Sequence, residues 1–295
     1  MLNTMHQLFS DNIVFFIAVI GVLGLLIGSF LNVVILRLPF MMEKEWHAQC
    51  NDLLEITSDN EQASEPFNLV TPNSHCPKCN HKIKAIENIP ILSYLFLKGR
   101  CSDCGIKIPA RYPIIEATTA LLSIIVAWHF GPTWEAAAAL LLTWALVALT
   151  VIDFDHQLLP DSITLPLLWL GLGISLAGIF TDPESAIIGG LVGYLSLWSV
   201  YMLFKLTTGK EGMGYGDFKL LAMLGAWLGW QSVLPIILLS SVVGAVVGIT
   251  LIVVRGRDKN IPIPFGPYLA AAGWITLLWG DQIIQTYLTT MNISP

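Results

Sequence analysis

Long apolar runs alternate with short polar breaks along most of this chain, and one long polar stretch interrupts them. A helix needs about 20 apolar residues to cross a bilayer core. Runs of that order predict spans near 13–36, 113–130, 134–153, 162–180, 184–206, 218–230, 234–254 and 262–285. The sixth, FKLLAMLGAWLGW, is short and is expected to start below the membrane surface. Residues 38–112 alone have the mixture of polar and charged positions found in a soluble domain. The expected architecture is therefore an all-α polytopic membrane protein of about eight transmembrane helices. It divides into a first span (1–37), a loop domain (38–112) and a membrane domain (113–295).

Composition excludes a water-soluble core. Of 295 residues, 55% are hydrophobic and 12% charged, against about 25% charged in soluble domains; mean hydropathy is +0.69. The net charge of −6 adds little, because the charges sit in a few segments, and no nucleic-acid partner is expected. The opening MLNTMHQLFSDN carries no Lys or Arg, and no A-x-A site follows the first apolar run. That run reads as a retained span and not as a cleaved signal.

Basic residues orient the spans. Nine of the 15 Lys and Arg lie in 37–111, three (Lys205, Lys210, Lys219) flank the fifth and sixth spans, and Arg255, Arg257 and Lys259 follow the seventh. The breaks at 131–133 and 181–185, the turn near 230 and both ends have none. Positive charge stays cytoplasmic. Eight spans then place every basic connection in the cytoplasm, with both termini outside, and the alternation puts 153–161 on the same face. No repeat suggests a transporter built from inverted halves.

Four of the five cysteines form two C-x-x-C pairs, Cys76/Cys79 in HCPKCN and Cys101/Cys104 in RCSDCG. Two such turns can present four thiolates to one zinc ion, a closed and hence structural set, as in a zinc ribbon. Disulfides are disfavoured in a cytoplasmic loop, where thiols stay reduced. Cys50 is left over, and His75 and His81 beside the first pair are not needed as ligands.

Two acidic stretches carry the other chemistry: VIDFDHQLLPD (151–161) and GMGYGD (212–217). They lie on different helices at one membrane face, so Asp153 and Asp217 can meet. Two close carboxylates share one proton; the ionised member can activate water while the protonated one polarises a carbonyl. The glycines leave room for a substrate backbone, and would let Asp217 sit on an unwound segment lining a cavity. The same pair also suits a cation pathway. Asp161, after Pro160, reads as a cap of the fourth span. Asp155 faces away from Asp153, and Glu116 is either a helix-start charge or part of a site.

The motifs GSFLNVVILRLP (28–39), CPKC, CSDC, NIPILSYLFLKGRC (88–101), ARYPIIEATTA (110–120), IDFDHQLLPD (152–161) and GMGYGDFKLLAMLGAWLG (212–229) resemble those of the bacterial type IV prepilin peptidases. The resemblance covers nearly the whole chain. It implies a GxGD aspartic peptidase of the inner membrane with Asp153 and Asp217 as its catalytic pair. Implied substrates are prepilins and pseudopilins lying in the lipid bilayer, cleaved on the cytoplasmic side. It also implies N-methylation of the new terminus from S-adenosylmethionine, with Gly99, Arg100, Arg111 and Glu116 as candidate cofactor-binding residues. The rival classes are an ion-coupled transporter or channel with a zinc-bound regulatory loop, and a membrane scaffold. Shortening of a pseudopilin by the purified protein would discriminate between them.

Overall fold

The computed structural model describes residues 9, 11–55, 67–255 and 263–290. Arg257 and Lys259, used above to orient the spans, lie outside them. The chain forms two compact units that divide between Pro132 and Thr133.

In the first unit, helix α1 (Ile13–Leu53) starts at Asn12, whose side chain accepts the Phe15 N–H. Its 41 residues extend about 60 Å at 1.5 Å per residue, twice the roughly 30 Å hydrocarbon core. The sequence ended this span at residue 36. The helix instead runs through Pro39 to residue 53, because MMEKEWHAQ supplies helix formers and no further breaker. Part of the expected loop domain is thus helical. A five-residue helix α2 (Leu92–Phe96) follows in the loop, then α3 (Arg111–Phe130).

Helices α1 and α3 pack almost backbone to backbone. A Cβ on Gly24 would lie 2.8 Å from the Ala120 Cα, and one on Gly28 would lie 2.7 Å from the Glu116 Cα. The second span, which the sequence grouped with the membrane domain 113–295, packs within the first compact unit. The loop is tied to α1 by Arg37, which donates to the carbonyls of Asn68 (2.9 Å) and Pro72 (2.6 Å) and lies over the Phe67 ring.

The second unit contains α4 (Trp134–His156), α5 (Asp161–Ser175), α6 (Pro183–Thr208), α7 (Tyr215–Leu228), α8 (Val233–Arg255) and α9 (Gly266–Thr290). Helix α7 is its core: Phe218, Leu220, Leu221, Met223, Leu224 and Trp227 are fully buried. Gly189 and Gly193 of α6 face the backbone of Gly225 and Leu221, another small-residue contact. Trp227 donates to the Leu167 carbonyl of α5 at 2.7 Å, its ring against Gly171.

The eight long helices fall on the eight expected spans. Among the described residues, five segments are long and apolar enough to cross a membrane, namely 13–53, 111–130, 134–156, 183–208 and 230–254. Outward-facing side chains such as Val14, Leu121, Trp128, Leu176, Val200 and Val253 are exposed, as suits helices solvated by lipid. The chain is a membrane protein.

Candidate active site

Asp153 lies four residues before the left-handed Gln157 (φ 53°) that ends α4. Asp217 lies in the first turn of α7. The sequence allowed an unwound position for Asp217; it is helical because Gly214 already begins the helix. The Asp217 carboxylate turns back toward the helix start, its Oδ2 3.9 Å from where a Cβ on Gly214 would lie, near the N–H groups that a helix start leaves open. Asp153 stands against the start of another helix: a Cβ on Gly266, the first residue of α9, would lie 2.6 Å from its Oδ2. Each acid therefore faces a glycine at the positive end of a helix.

The two carboxylates are 5% and 8% exposed and close enough to interact electrostatically. The Asp153 Oδ2 is buried and lacks a hydrogen-bond partner among the described residues. An orphaned acid oxygen beside a second acid is where a shared proton or an entering polar group is accommodated.

The surroundings hold this pair rigidly. Leu159 is a buried wedge against both glycine-bearing turns: a Cβ on Gly216 would lie 2.8 Å from the Leu159 Cβ, and one on Gly266 would lie 3.2 Å from the Leu159 Cδ1. A Cβ on Gly266 would also lie 2.6 Å from the Asp153 Oδ2. Asp161 does not cap α5. Pro160 stands at the cap, and Asp161 instead binds Lys219 of α7 through both oxygens, at 2.8 and 2.6 Å. That ion pair joins the first turns of α5 and α7 beside Asp217. Asp155 is exposed.

In the first unit the sulfurs of Cys76, Cys79, Cys101 and Cys104 lie within 4.8 Å of one another. The Cys76–Cys104 and Cys79–Cys101 separations are 3.7 and 3.9 Å. Zn–S bonds of about 2.3 Å in a tetrahedron place sulfurs roughly 3.8 Å apart, so the four residues fit that ion. The two knuckles are built alike. Cys76 N–H donates to the His81 carbonyl and Asn80 N–H to Cys76; Cys101 N–H donates to Ile106 and Gly105 N–H to Cys101. Each knuckle closes on a single antiparallel bridge, His75 with Lys82 and Arg100 with Lys107. Backbone N–H groups of Cys79 and then Lys78 hold the Cys76 thiol down at about 6, favouring the thiolate that binds metal.

Neither neighbouring histidine joins the cluster. His81 pairs with Glu87 at 3.1 Å, and Ser102 donates to the same Glu87 at 2.6 Å. Hydrogen bonds from the Lys84 N–H, Ser102 and His81 hold the Glu87 carboxyl down at about 2. Cys50 is exposed on α1.

Of the four candidate cofactor residues, only Glu116 lines the cavity of about 430 Å³ in this unit. Arg100 is exposed, Arg111 is half-buried at the start of α3, and Gly99 is buried with φ +65°. Gly99 touches the cavity only through Tyr94, whose ring a Cβ would meet at 2.9 Å.

Two family models match the chain: the bacterial peptidase A24 N-terminal domain over residues 22–130, and the type IV leader peptidase family over residues 140–249. Their junction falls where the two units divide. Relatives named prepilin leader peptidase/N-methyltransferase match nearly the whole chain, three of them as follows. The one from Stutzerimonas stutzeri is 59% identical, covering 96% of this chain and 97% of its own. That from Pseudomonas aeruginosa is 61% identical over 90% and 91%, and that from Aeromonas salmonicida is 57% identical over 94% and 95%. The chain belongs to the type IV leader peptidase family. No solved structure matches it.

For a type IV leader peptidase, the reading as an ion-coupled transporter or channel receives no support from these relatives. Sequence reasoning missed Gly266, Leu159 and Lys219 in this family member's candidate site. IPFGPYLAAA at 263–272 has the Pro and Gly of a helix start, but nothing in its spacing says that the start abuts an aspartate 113 residues earlier.

Proposed function

We propose that this chain removes the leader of type IV prepilins and pseudopilins through Asp153 and Asp217, and methylates the exposed amino terminus with S-adenosylmethionine as donor. Both activities are those its relatives are named for. The observation that carries the peptidase assignment is the pair of buried, interacting carboxylates, each set against a helix-start glycine. In such a pair one acid is ionised and takes a proton from water, whose oxygen attacks the scissile carbonyl. The other, protonated, donates to the carbonyl oxygen. Collapse of the tetrahedral intermediate breaks the C–N bond, and the proton taken from water leaves with the amine.

The cysteine cluster holds one structural zinc, which contributes folding free energy to the loop. All four ligands are protein sulfurs, so the ion offers no open position to a substrate. The site faces the cytoplasm from the inner membrane, with both termini periplasmic, as the basic residues require. Prepilins inserted in the same bilayer then bring their polar leaders to this edge.

The test is cleavage of a purified pseudopilin by Asp153→Asn and Asp217→Asn proteins. Asn keeps the shape but cannot share the proton, so each change should reduce cleavage to background. Substantial cleavage by either would remove that residue from the mechanism.

A further inference from the structure

The first unit contains a cavity that the peptidase chemistry does not use. Its volume, about 430 Å³, lies in the range of small-molecule sites, roughly 300–1,000 Å³. Aromatic walls come from Phe67, Tyr94 and Tyr112, with Leu36 between them. Asn32 ties α1 to the start of α3 by donating to the Tyr112 carbonyl at 3.2 Å. The close α1–α3 contact at Gly28 brings Ser29 and Asn32 beside Glu116.

Glu116 is the unusual wall residue. It is 8% exposed. Its Oε2 accepts the Ile91 N–H at 2.8 Å, and the Ser29 hydroxyl lines the wall beside it. Both groups are neutral. A buried carboxylate is costly unless an opposite charge joins it. Of the basic residues on the wall, Arg37 is committed to two carbonyls and the Phe67 ring, and Lys107 is exposed. The second wall carboxylate, Glu87, already holds His81, Ser102 and a backbone N–H. The one acid left for a ligand is therefore Glu116, and the ligand it calls for is a cation.

We propose that this cavity binds S-adenosylmethionine with its sulfonium facing the Glu116 carboxylate, an assignment that rests on the N-methyltransferase reading. The ligand carries a sulfonium and an ammonium against one carboxylate, so its net charge is positive. Its adenine suits the aromatic walls, and tyrosine faces also attract cations. In the transfer the S–CH₃ bond breaks as the N–CH₃ bond forms. The amine must arrive neutral, and S-adenosylhomocysteine, a neutral thioether, is left.

That difference in charge provides the test. Equilibrium binding of labelled S-adenosylmethionine and S-adenosylhomocysteine is measured on the full chain in nanodiscs, for wild type and Glu116→Gln, with zinc content and monodispersity as checks of folding. Loss of the carboxylate should weaken S-adenosylmethionine binding about tenfold or more, a charge contact of roughly 1.4 kcal/mol, and S-adenosylhomocysteine binding much less. Unchanged S-adenosylmethionine binding, or equal weakening of both ligands, overturns the proposal. Should Glu116→Gln fail the folding checks, Val33→Phe decides. It fills the cavity from α1 and leaves Glu116 in place, so binding of both ligands should be lost; retained binding overturns the assignment. Wild-type protein that binds neither ligand removes the N-methyltransferase reading as well, whereas binding indifferent to these variants removes only the site.

Discussion

At Gly266 a single hydrogen matters. Its missing Cβ is the space that the Asp153 Oδ2 occupies. In Gly266→Ala the new methyl would stand 2.6 Å from that oxygen, so the carboxylate must move or the start of α9 must recede. Displacements near 1 Å in a catalytic group can cost about 100-fold in rate. Single-turnover cleavage by Gly266→Ala is expected to fall by about that factor with the zinc content unchanged. A wild-type rate would mean that Asp153 tolerates the shift. Lys219 acts differently. Its ion pair with Asp161 is partly exposed, and such pairs contribute about 0–1 kcal/mol. Lys219→Gln should therefore leave thermal stability nearly unchanged and slow cleavage by letting the first turn of α7 drift from α5; a large loss of stability would show that the pair is structural.

Secondary-structure elements meet here through small residues, and the helix that carries Asp217 is placed by its neighbours. A Cβ on Gly193 would lie 2.6 Å from the Leu221 carbonyl oxygen and 3.0 Å from the Ala222 Cα. Both are backbone atoms that cannot rotate away. Gly193→Val should thus separate α6 from α7, at about 1–3 kcal/mol for overpacking, and lower the melting temperature and cleavage together. Normal melting with normal activity would show that the helices part freely. In the loop, Cys79→Ser or Cys104→Ser should release the metal and make residues 67–110 sensitive to protease; zinc-free protein that stays resistant would contradict a structural ion. Much of this was legible beforehand. Apolar runs placed all eight long helices, and the two C-x-x-C turns named their own partners. The extension of α1 to residue 53 was not legible, because Pro39 marks a stop in sequence that the helix absorbs. Nor were the contacts at Gly28, Gly193 and Gly266, since a glycine reads alike in a turn and against a neighbour's backbone. Glu116 was legible as a helix-start charge or a candidate site residue, but the cavity that it lines was not.

For the whole molecule, the division between Pro132 and Thr133 has a chemical counterpart. The acid pair lies entirely on α4 and α7 of the second unit; the metal cluster and the Glu116 cavity lie entirely in the first. Reporter fusions within 131–133, within 181–185 and after residue 290 should all read as periplasmic, and a cytoplasmic C-terminal reporter would mean that one of the eight helices does not cross. Hydrolysis and methyl transfer also need different things. Hydrolysis needs two acids and one shared proton, whereas methylation needs a neutral amine and a bound sulfonium and has no use for the pair. Asp153→Asn protein should therefore fail to cut a prepilin yet still methylate a peptide supplied already cut, at a rate within a factor of about two or three of wild type. The measurement is transfer of labelled methyl from S-adenosylmethionine to that peptide. If Asp153→Asn cannot methylate it while the zinc content and S-adenosylmethionine binding are normal, the acid pair takes part in both reactions, and the assignment of one activity to each unit is wrong.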